Sequence, residues 1–225
     1  LEASRILDHL DHFLYASSSS VYGGNNRLPY SESCNINSPV SLYAATKASN
    51  ELMAFSYSHL FNIPLTGVRL FTVYGPWGRP DMAVFSFVKK ILSRDKLNLF
   101  NNGDMKRDFT YIDDVVEGIV RLLCNLPKSS TSFLKDYSSG NAASRIVNIG
   151  NSNPVSLMDF VSILENILGV KADIEFSAFQ AGDVKSTFAD MNKFKSLTGF
   201  EFQTSLQKGL KNFVDWYKDY YKKNN

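Results

Sequence analysis

The sequence predicts an α/β fold, in which a doubly wound parallel sheet is joined to a smaller α/β part. Two short apolar runs, at residues 13–16 and 65–71, are typical of strands that are buried on both faces of a sheet. A loop and a helical pattern follow each of them, and this alternation favours a parallel sheet with crossover helices. Ligands of such sheets bind at the carboxyl ends of the strands, so the loops after these runs are the first places to look for a site.

The composition is that of an ordinary globular protein. The chain has 225 residues, of which 44% are hydrophobic and 20% charged, enough for one large or two small domains. The net charge of +2 is too small to favour nucleic acid, and no apolar run is long enough to cross a membrane. Cys34 and Cys124 are expected to be reduced thiols of a cytoplasmic protein. The histidines and cysteines lack ligand spacing, so no metal site is predicted.

The first part of the chain supplies the strands and the longest helix. In order, the pattern predicts the tail of a helix at 1–10, a strand at 13–16, a loop at 25–40, a helix at 41–61 and a strand at 65–71. Residues 13–16 have the composition of a central strand rather than an edge strand. Arg69 lies within the second strand, where a buried guanidinium needs a partner.

The remainder continues the alternation in shorter elements. We expect Asp113 or Asp114 to cap the helix at 115–124, Ser156 with Asp159 to start a helix that Gly169 ends, and Asp190 and Ser205 to cap the last two helices. Helix 83–92, strands 97–100, 145–149 and 172–176, a turn at Asn102 and Gly103, an irregular serine-rich stretch at 128–141 and a polar loop at 180–183 complete the predicted order.

Tyr43 and Lys47 are spaced i and i+4 in the long predicted helix, which puts both side chains on one face. A tyrosine hydroxyl is a poor base near neutral pH, and an ammonium one turn away favours its ionised form. Four serines, Ser17 to Ser20, end the preceding strand, and a serine hydroxyl there could share the proton. Together these groups suit removal of a proton from an alcohol while a hydride leaves its carbon.

Several long motifs, in this order, carry a resemblance to a known family. ASSSSVYGGN, SLYAATKASNELM, RLFTVYGPWGRPDM, KRDFTYIDDVVEGI and VNIGNSNPVSLMDF resemble the extended short-chain dehydrogenase/reductase family, whose members act on nucleotide sugars with bound NAD. The match is closest to its UDP-glucuronate 4-epimerase branch. The resemblance implies a Rossmann-like NAD-binding domain in which residues 1–75 form the C-terminal half and residues 107–150 return to it. Residues 76–106 and 151–225 would bind the substrate.

The family pattern implies roles for the residues at the matching positions. Tyr43 would be the acid/base, Lys47 its electrostatic partner and Ser18 the proton-sharing hydroxyl. Tyr43, Lys47 and Ser17 would also contact NAD. Ser19 and Ser20 would lie against the substrate, at positions where related sugar 4,6-dehydratases carry Asp and Glu. Because alcohols are too weakly acidic to replace those carboxylic groups near pH 7, the serines argue against a dehydratase.

Four more residues are implied in substrate binding. Thr72 and Arg79 are candidates for the sugar carboxylate, since a guanidinium fork matches that group. The alternative is that Arg79 only holds its own loop. Arg107 and Asp183 resemble positions near the UDP phosphates and ribose, with a surface ion pair as the alternative.

The activity implied by the resemblance is interconversion of UDP-glucuronate and UDP-galacturonate through a 4-keto intermediate, in a cytoplasmic homodimer that serves polysaccharide biosynthesis. UDP-glucuronate decarboxylation is the alternative reaction, because the 4-keto sugar acid is a β-keto acid. No GxGxxG fingerprint occurs in the sequence, so the family's glycine-rich N-terminal half is expected to be missing. A third alternative is therefore an inactive fragment that only binds nucleotide sugar.

Overall fold

The computed structural model describes residues 1–128, 142–179 and 184–223. A parallel sheet of order β1–β2–β6 is formed by β1 (Phe13–Ser18), β2 (Leu65–Leu70) and β6 (Ser144–Ile149). Its strands run in register, so that Leu65 pairs with both Phe13 and Ser144. The chain therefore has the predicted α/β fold with parallel strands.

Two smaller sheets complete the strand content of the described residues. β3 (Thr72–Tyr74) and β5 (Lys106–Tyr111) are parallel, and β7 (Pro154–Ser156) adds antiparallel to β5. β4 (Lys96–Leu99) pairs parallel with β8 (Asp173–Phe176). A single residue, Phe71, separates β2 from β3, so the chain passes directly from the first sheet to the second.

The described residues form seven α-helices. Most of the capping residues predicted from the sequence lie where these helices begin or end. Ser41 caps the longest one by accepting from the Ala44 amide, Ser156 caps another through the Asp159 amide, and Ser205 accepts from the Lys208 amide. Gly169 and Gly199 follow two helix ends with φ of 69° and 62°. The helices are α1 (Glu2–Arg5), α2 (Leu42–Phe61), α3 (Ala83–Ser93), α4 (Ile112–Leu123), α5 (Leu157–Leu168), α6 (Asn192–Thr198) and α7 (Leu206–Lys223).

Three buried clusters hold these elements together. The largest joins α3, α5 and α7 to the second and third sheets, with Phe85, Phe160 and Phe213 at its centre. The second lies between the first sheet, α4 and α6, and includes Val68, Val147 and Phe194. A small third cluster packs α2 against the start of β2. The aromatic stripe of α7 therefore serves packing, as the sequence predicts.

Several predictions from the sequence are wrong. α1 ends at Arg5 instead of near residue 10, because Ile6 and Leu7 are 76% and 56% exposed and give no packed face to continue it. Neither Asp113 nor Asp114 caps α4: both lie inside its first turn, and Asp114 accepts from the Thr204 amide instead. The helix starts earlier than predicted because Tyr111, the last residue of β5, leads directly into it.

The pairing of the strands adds detail that the sequence does not specify. Residues 13–16 have the composition of a central strand, and among the described residues β1 pairs with β2 alone and most of it is only half-buried. Of residues 107–150, β6 pairs with β2, and β5 pairs with β3 and β7 in the second sheet. The sequence gives no sign of β7, a three-residue strand whose hydrogen bonds depend on β5. The predicted irregular stretch at 128–141 lies outside the described residues from 129 onward, and so does the polar loop at 180–183.

Candidate active site

A cavity of about 580 Å³ opens at the carboxyl ends of β1 and β2, where a parallel sheet is expected to bind its ligand. Nearly all the predicted site residues line it: Ser17, Ser18, Ser19, Ser20, Tyr43, Lys47, Thr72, Arg79 and Arg107. Asp183 lies outside the described residues. The fold thus brings together residues from four separate stretches of the sequence.

The four serines form a tight turn at one end of the cavity. Ser18 ends β1, and its Oγ accepts from the Ser20 amide at 3.2 Å and from Ser20 Oγ at 2.9 Å. Ser19–Tyr22 then forms one 3₁₀ turn, which Gly23 ends with a φ of 57°. A Cβ at Gly23 would stand 2.1 Å from the Ser38 carbonyl oxygen, so glycine is required there. We call residues 17–20 the serine turn.

Tyr43 and Lys47 reach the cavity from α2. Tyr43 lies in the first turn, two residues after the Ser41 cap, and is 55% exposed. Lys47 Nζ donates to the Ala16 carbonyl oxygen at 3.0 Å and lies 5.8 Å from the centre of the Tyr43 ring. The lysine thus ties α2 to the end of β1 and keeps its ammonium beside the tyrosine. An ammonium has three donors, so two remain for other partners.

Behind the serine turn lies a buried ion pair that the sequence motifs do not predict. Glu51, one helical turn after Lys47, accepts from Arg69 through both carboxylate oxygens, from Nε at 2.9 Å and from Nη2 at 2.7 Å. Ser17 Oγ donates to the same carboxylate at 2.5 Å. Glu51 and Arg69 retain only 7% and 3% exposure. The predicted need of Arg69 for a partner is confirmed, and Glu51 is that partner.

The network continues from Arg69 into the core. Its guanidinium lies 4.8 Å from the ring centre of Tyr22, whose hydroxyl donates to Asn148 Oδ1 at 2.6 Å. Asn148 Nδ2 donates to the carbonyls of Tyr30 and Asp190. Burial raises the pKa of Tyr22 well above its ordinary value, so the phenol stays neutral and acts as a donor. We call Ser17, Glu51, Arg69, Tyr22 and Asn148 the buried network.

The other side of the cavity is more open. Arg79 lies in the loop after β3, and its side chain is 73% exposed; Nη2 is 3.3 Å from Asp81 Oδ2 and 3.3 Å from Met82 Sδ. Arg107 Nη1 donates to the carbonyls of Lys106 and Lys185 at 2.9 and 3.3 Å. Thr72 starts β3 and is half-buried. Thr72, Arg79 and Arg107 form what we call the rim.

The loop that carries Arg79 is anchored by aromatic packing. Trp77 adopts a φ of 64° and packs on Trp216 and Tyr220 of α7, with ring centres 5.4 and 5.3 Å away. A positive φ is costly for a bulky residue and persists where surrounding contacts hold it. The α7 packing therefore holds the backbone of the loop, while the Arg79 side chain stays in solvent.

The structure adds two facts about Ser17 and Glu51 that the sequence motifs do not contain. The Ser17 hydroxyl hydrogen is used within the protein by Glu51, so any contact of Ser17 with a ligand falls to its backbone or its oxygen lone pairs. Glu51 was missed although a signal existed: it follows Lys47 by four residues on the same helix face, and Arg69 needed an acid.

Two negative observations concern the described residues alone. Within residues 1–128, 142–179 and 184–223, no three or more histidine, cysteine, aspartate or glutamate side chains converge as a metal site would require. In the same part of the chain, no helix combines the length and the apolar composition that crossing a bilayer requires.

Similarity to known proteins agrees with this arrangement. Residues 1–150 match the NAD dependent epimerase/dehydratase family. The chain belongs to this family. It is 50% identical to Protein CapI of Staphylococcus aureus over 230 residues, which cover 99% of this chain and 67% of that protein. It is 45% identical to a probable UDP-glucuronate 4-epimerase of Rhizobium meliloti over 217 residues, covering 94% of this chain and 63% of that one.

Solved structures of this epimerase/dehydratase family have the same fold. The UDP-glucuronic acid 4-epimerase of Bacillus cereus, in complex with UDP-glucuronic acid and NAD, superposes with a TM-score of 0.84 at 35% identity. The match covers 98% of this chain and 65% of that one. The chain thus spans about two thirds of the length of each of these three relatives.

Proposed function

We propose that this chain carries the catalytic and sugar-binding residues of a nucleotide-sugar epimerase that interconverts UDP-glucuronate and UDP-galacturonate with bound NAD. One observation carries the proposal: Ser18, Tyr43 and Lys47 line the same cavity as Thr72 and Arg79. A proton-transfer group and a carboxylate-binding group thus face one space that is large enough for a sugar. The names of the relatives from Rhizobium meliloti and Bacillus cereus support the same substrate.

The donors of this cavity fit the nicotinamide end of NAD. The hydroxyl of Tyr43, a residue that is 55% exposed, and the two remaining donors of Lys47 suit the hydroxyls of a ribose, next to the carboxyl ends of two parallel strands. When bound, NAD would take a hydride from C4 of the sugar and return it to the opposite face. No GxGxxG motif for the pyrophosphate occurs in this sequence, so the fit concerns the nicotinamide end.

Tyr43 would act as the general base on the C4 hydroxyl and, in the reverse direction, as the general acid. Lys47 is held beside it by the Ala16 carbonyl, so its positive charge favours the ionised phenol during the transfer. Ser18 Oγ already accepts two hydrogen bonds from Ser20, which leaves its own hydrogen as a donor toward the sugar oxygen. The proton would pass between the sugar, Ser18 and Tyr43, which line the same cavity.

Arg79 would recognise the sugar carboxylate, with Thr72 as a further donor. Its present partner, Asp81, is itself 70% exposed, and an exposed pair of this kind contributes little to stability. A substrate carboxylate can therefore replace Asp81 at small cost and gain a charge-assisted hydrogen bond. Arg107, held by two carbonyls at the other side of the rim, is the candidate for the UDP phosphates, and Asp183 stays a prediction for the ribose.

Product analysis tests the proposal directly. The complete protein, including any residues that precede Leu1, is incubated with NAD and UDP-glucuronate, and the products are separated and identified by mass and by ¹H NMR. We expect UDP-galacturonate, which has the mass of the substrate. A product lighter by carbon dioxide would identify the decarboxylase alternative, and binding without any product would identify the non-catalytic alternative.

Homodimer formation and a cytoplasmic location are further proposals from the family resemblance. Light scattering of the purified protein tests the first, since a dimer would double the mass of the monomer. Cell fractionation tests the second, and recovery of the protein with the membrane fraction would contradict it.

A further inference from the structure

Glu51 connects three elements of the active site, namely α2, β1 and β2. Tyr43, Lys47 and Glu51 follow one another at intervals of four residues, so all three lie on one face of α2. Lys47 holds the Ala16 carbonyl of β1, and Glu51 holds the next residue, Ser17. Ser17 and Arg69 are register partners in β1 and β2, so a single carboxylate bridges both strands one residue before they end.

A contribution to stability alone does not explain the buried pair of Glu51 and Arg69, because burying two charges costs free energy. A buried ion pair loses hydration on both sides, and replacing it by apolar residues of similar volume is often neutral or stabilising. Here Arg69 Nη1 is also buried without a hydrogen-bond partner within the described part of the chain, which adds to the cost. What the pair provides in return is a fixed orientation of its two side chains. A bidentate carboxylate permits one geometry, whereas apolar packing permits several.

We propose, on the basis of the function proposed above, that Glu51 is a positioning residue that fixes the serine turn relative to Tyr43 and Lys47. Its carboxylate holds Ser17, and Ser17 is followed directly by Ser18, which lines the cavity. The two anchors, Lys47 on Ala16 and Glu51 on Ser17, set the distance between the α2 face and the serine hydroxyl. A small shift at a reacting group lowers the rate far more than it lowers substrate binding.

Two substitutions and their combination test the inference in the complete protein. Glu51→Asp keeps the charge that Arg69 needs but draws the carboxylate back by one methylene. Ser17→Ala leaves the ion pair intact and removes the bond to the serine turn. We expect each single variant to lower kcat about tenfold, with the KM for UDP-glucuronate within about threefold of wild type. Because both changes break the same contact, the double variant should be no slower than the slower single variant.

A matched control separates positioning from stability. Ser156→Ala removes the α5 cap, which is also a serine hydroxyl bond but lies outside the cavity. It should lower Tm and leave kcat unchanged. If Ser156→Ala lost kcat in the same proportion to its loss of Tm as the Glu51 and Ser17 variants do, or if the effects in the double variant added, Glu51 would be a structural residue and the inference would be wrong.

A second measurement does not depend on catalysis. The Ser20 and Gly23 amides bond within the serine turn, and their hydrogen exchange reports its order. In Glu51→Asp these two amides should exchange about tenfold faster, while the amides of α7 exchange as in wild type. Absence of turnover in the wild-type protein would contradict the proposed function. The exchange rates would still show whether Glu51 fixes the serine turn. Unchanged exchange in the serine turn would overturn the inference.

Discussion

Arg69 in the buried network and Arg79 on the rim are partnered in opposite ways. The Arg69 side chain is 4% exposed and bonds Glu51 through two nitrogens, while Arg79 is 73% exposed and lies 3.3 Å from Asp81. A buried pair cannot lose one member without leaving a charge in a dry interior. An exposed pair exchanges its partner at little cost. The buried network is therefore suited to hold geometry, and the rim to take up a ligand.

This difference separates the two tasks that the proposed reaction requires. Proton and hydride transfer need groups that do not move. Ser18 ends β1, Lys47 is bonded to the Ala16 carbonyl of the same strand, and Tyr43 lies one helical turn before Lys47 on α2. Recognition of a sugar acid needs a cation that is free to change partners, and Arg79 meets that need. Substitutions in the first set should therefore affect the chemistry, and substitutions at Arg79 should affect substrate choice.

The largest effect is expected for Tyr43→Phe, which removes a hydroxyl and little volume. Loss of a general acid/base lowers the rate by about 10²–10⁴-fold. We expect kcat for UDP-galacturonate formation to fall in that range in the complete protein, with the Kd for UDP-glucuronate within a few-fold of wild type. Isothermal calorimetry supplies the Kd, and a kcat close to wild type would remove Tyr43 from the mechanism.

Arg69→Met and Arg79→Met compare the two arginines through stability. Arg69→Met leaves the Glu51 carboxylate buried without its cation, so the free energy of unfolding should fall by about 3–5 kcal/mol. Arg79→Met breaks an exposed pair and should change it by less than about 1 kcal/mol. Urea unfolding measures both. Equal losses in the two variants would show that the difference in burial between the two arginines does not affect the free energy of unfolding.

Arg79→Ala tests substrate choice at the rim. A charge-assisted hydrogen bond contributes about 1.5–3 kcal/mol, so binding of UDP-glucuronate should weaken about tenfold or more. UDP-glucose lacks the carboxylate and should bind nearly as before. Calorimetry with both sugars measures the difference. A similar loss for both would mean that Arg79 serves its loop rather than the acid group.

A smaller effect concerns the opposite end of the first sheet, where Arg145 is buried and bonds Thr66 and Asn125. Burial lowers its pKa to about 10. His12 shares Thr66 as a partner, and burial lowers the pKa of His12 below its ordinary value, with the nearby Arg145 charge acting in the same direction. The fold thus favours neutral His12, and the stability this gives is lost as pH falls through about 6.5.

The variant His12→Gln tests whether His12 causes this loss of stability as pH falls. Between pH 7.5 and 5.5, the wild-type protein should lose more unfolding free energy than the variant, as measured by urea unfolding at each pH. A variant with the same pH dependence as wild type would show that His12 does not contribute to it.

The sequence predicts which residues line the cavity better than it predicts the contacts that hold them in place. Tyr43, Lys47 and the serines follow from local spacing, because helix periodicity and the end of a strand are fixed by neighbouring residues. The link between Glu51 and Arg69 depends on how deeply α2 lies on β2, which no local pattern specifies. β7 is missed for the same reason, since its three residues form a strand only where β5 accepts them.

Retention of the hydrogen at C4 tests the central claim most directly. UDP-glucuronate carrying deuterium at C4 is incubated with the complete protein and NAD in ordinary water until UDP-galacturonate forms, and the label is located by NMR and mass spectrometry. A site that holds the sugar while hydride leaves and returns should give UDP-galacturonate with deuterium still at C4. Product that has exchanged this deuterium for solvent hydrogen would contradict the account, because C4 would then be inverted through a proton lost to water.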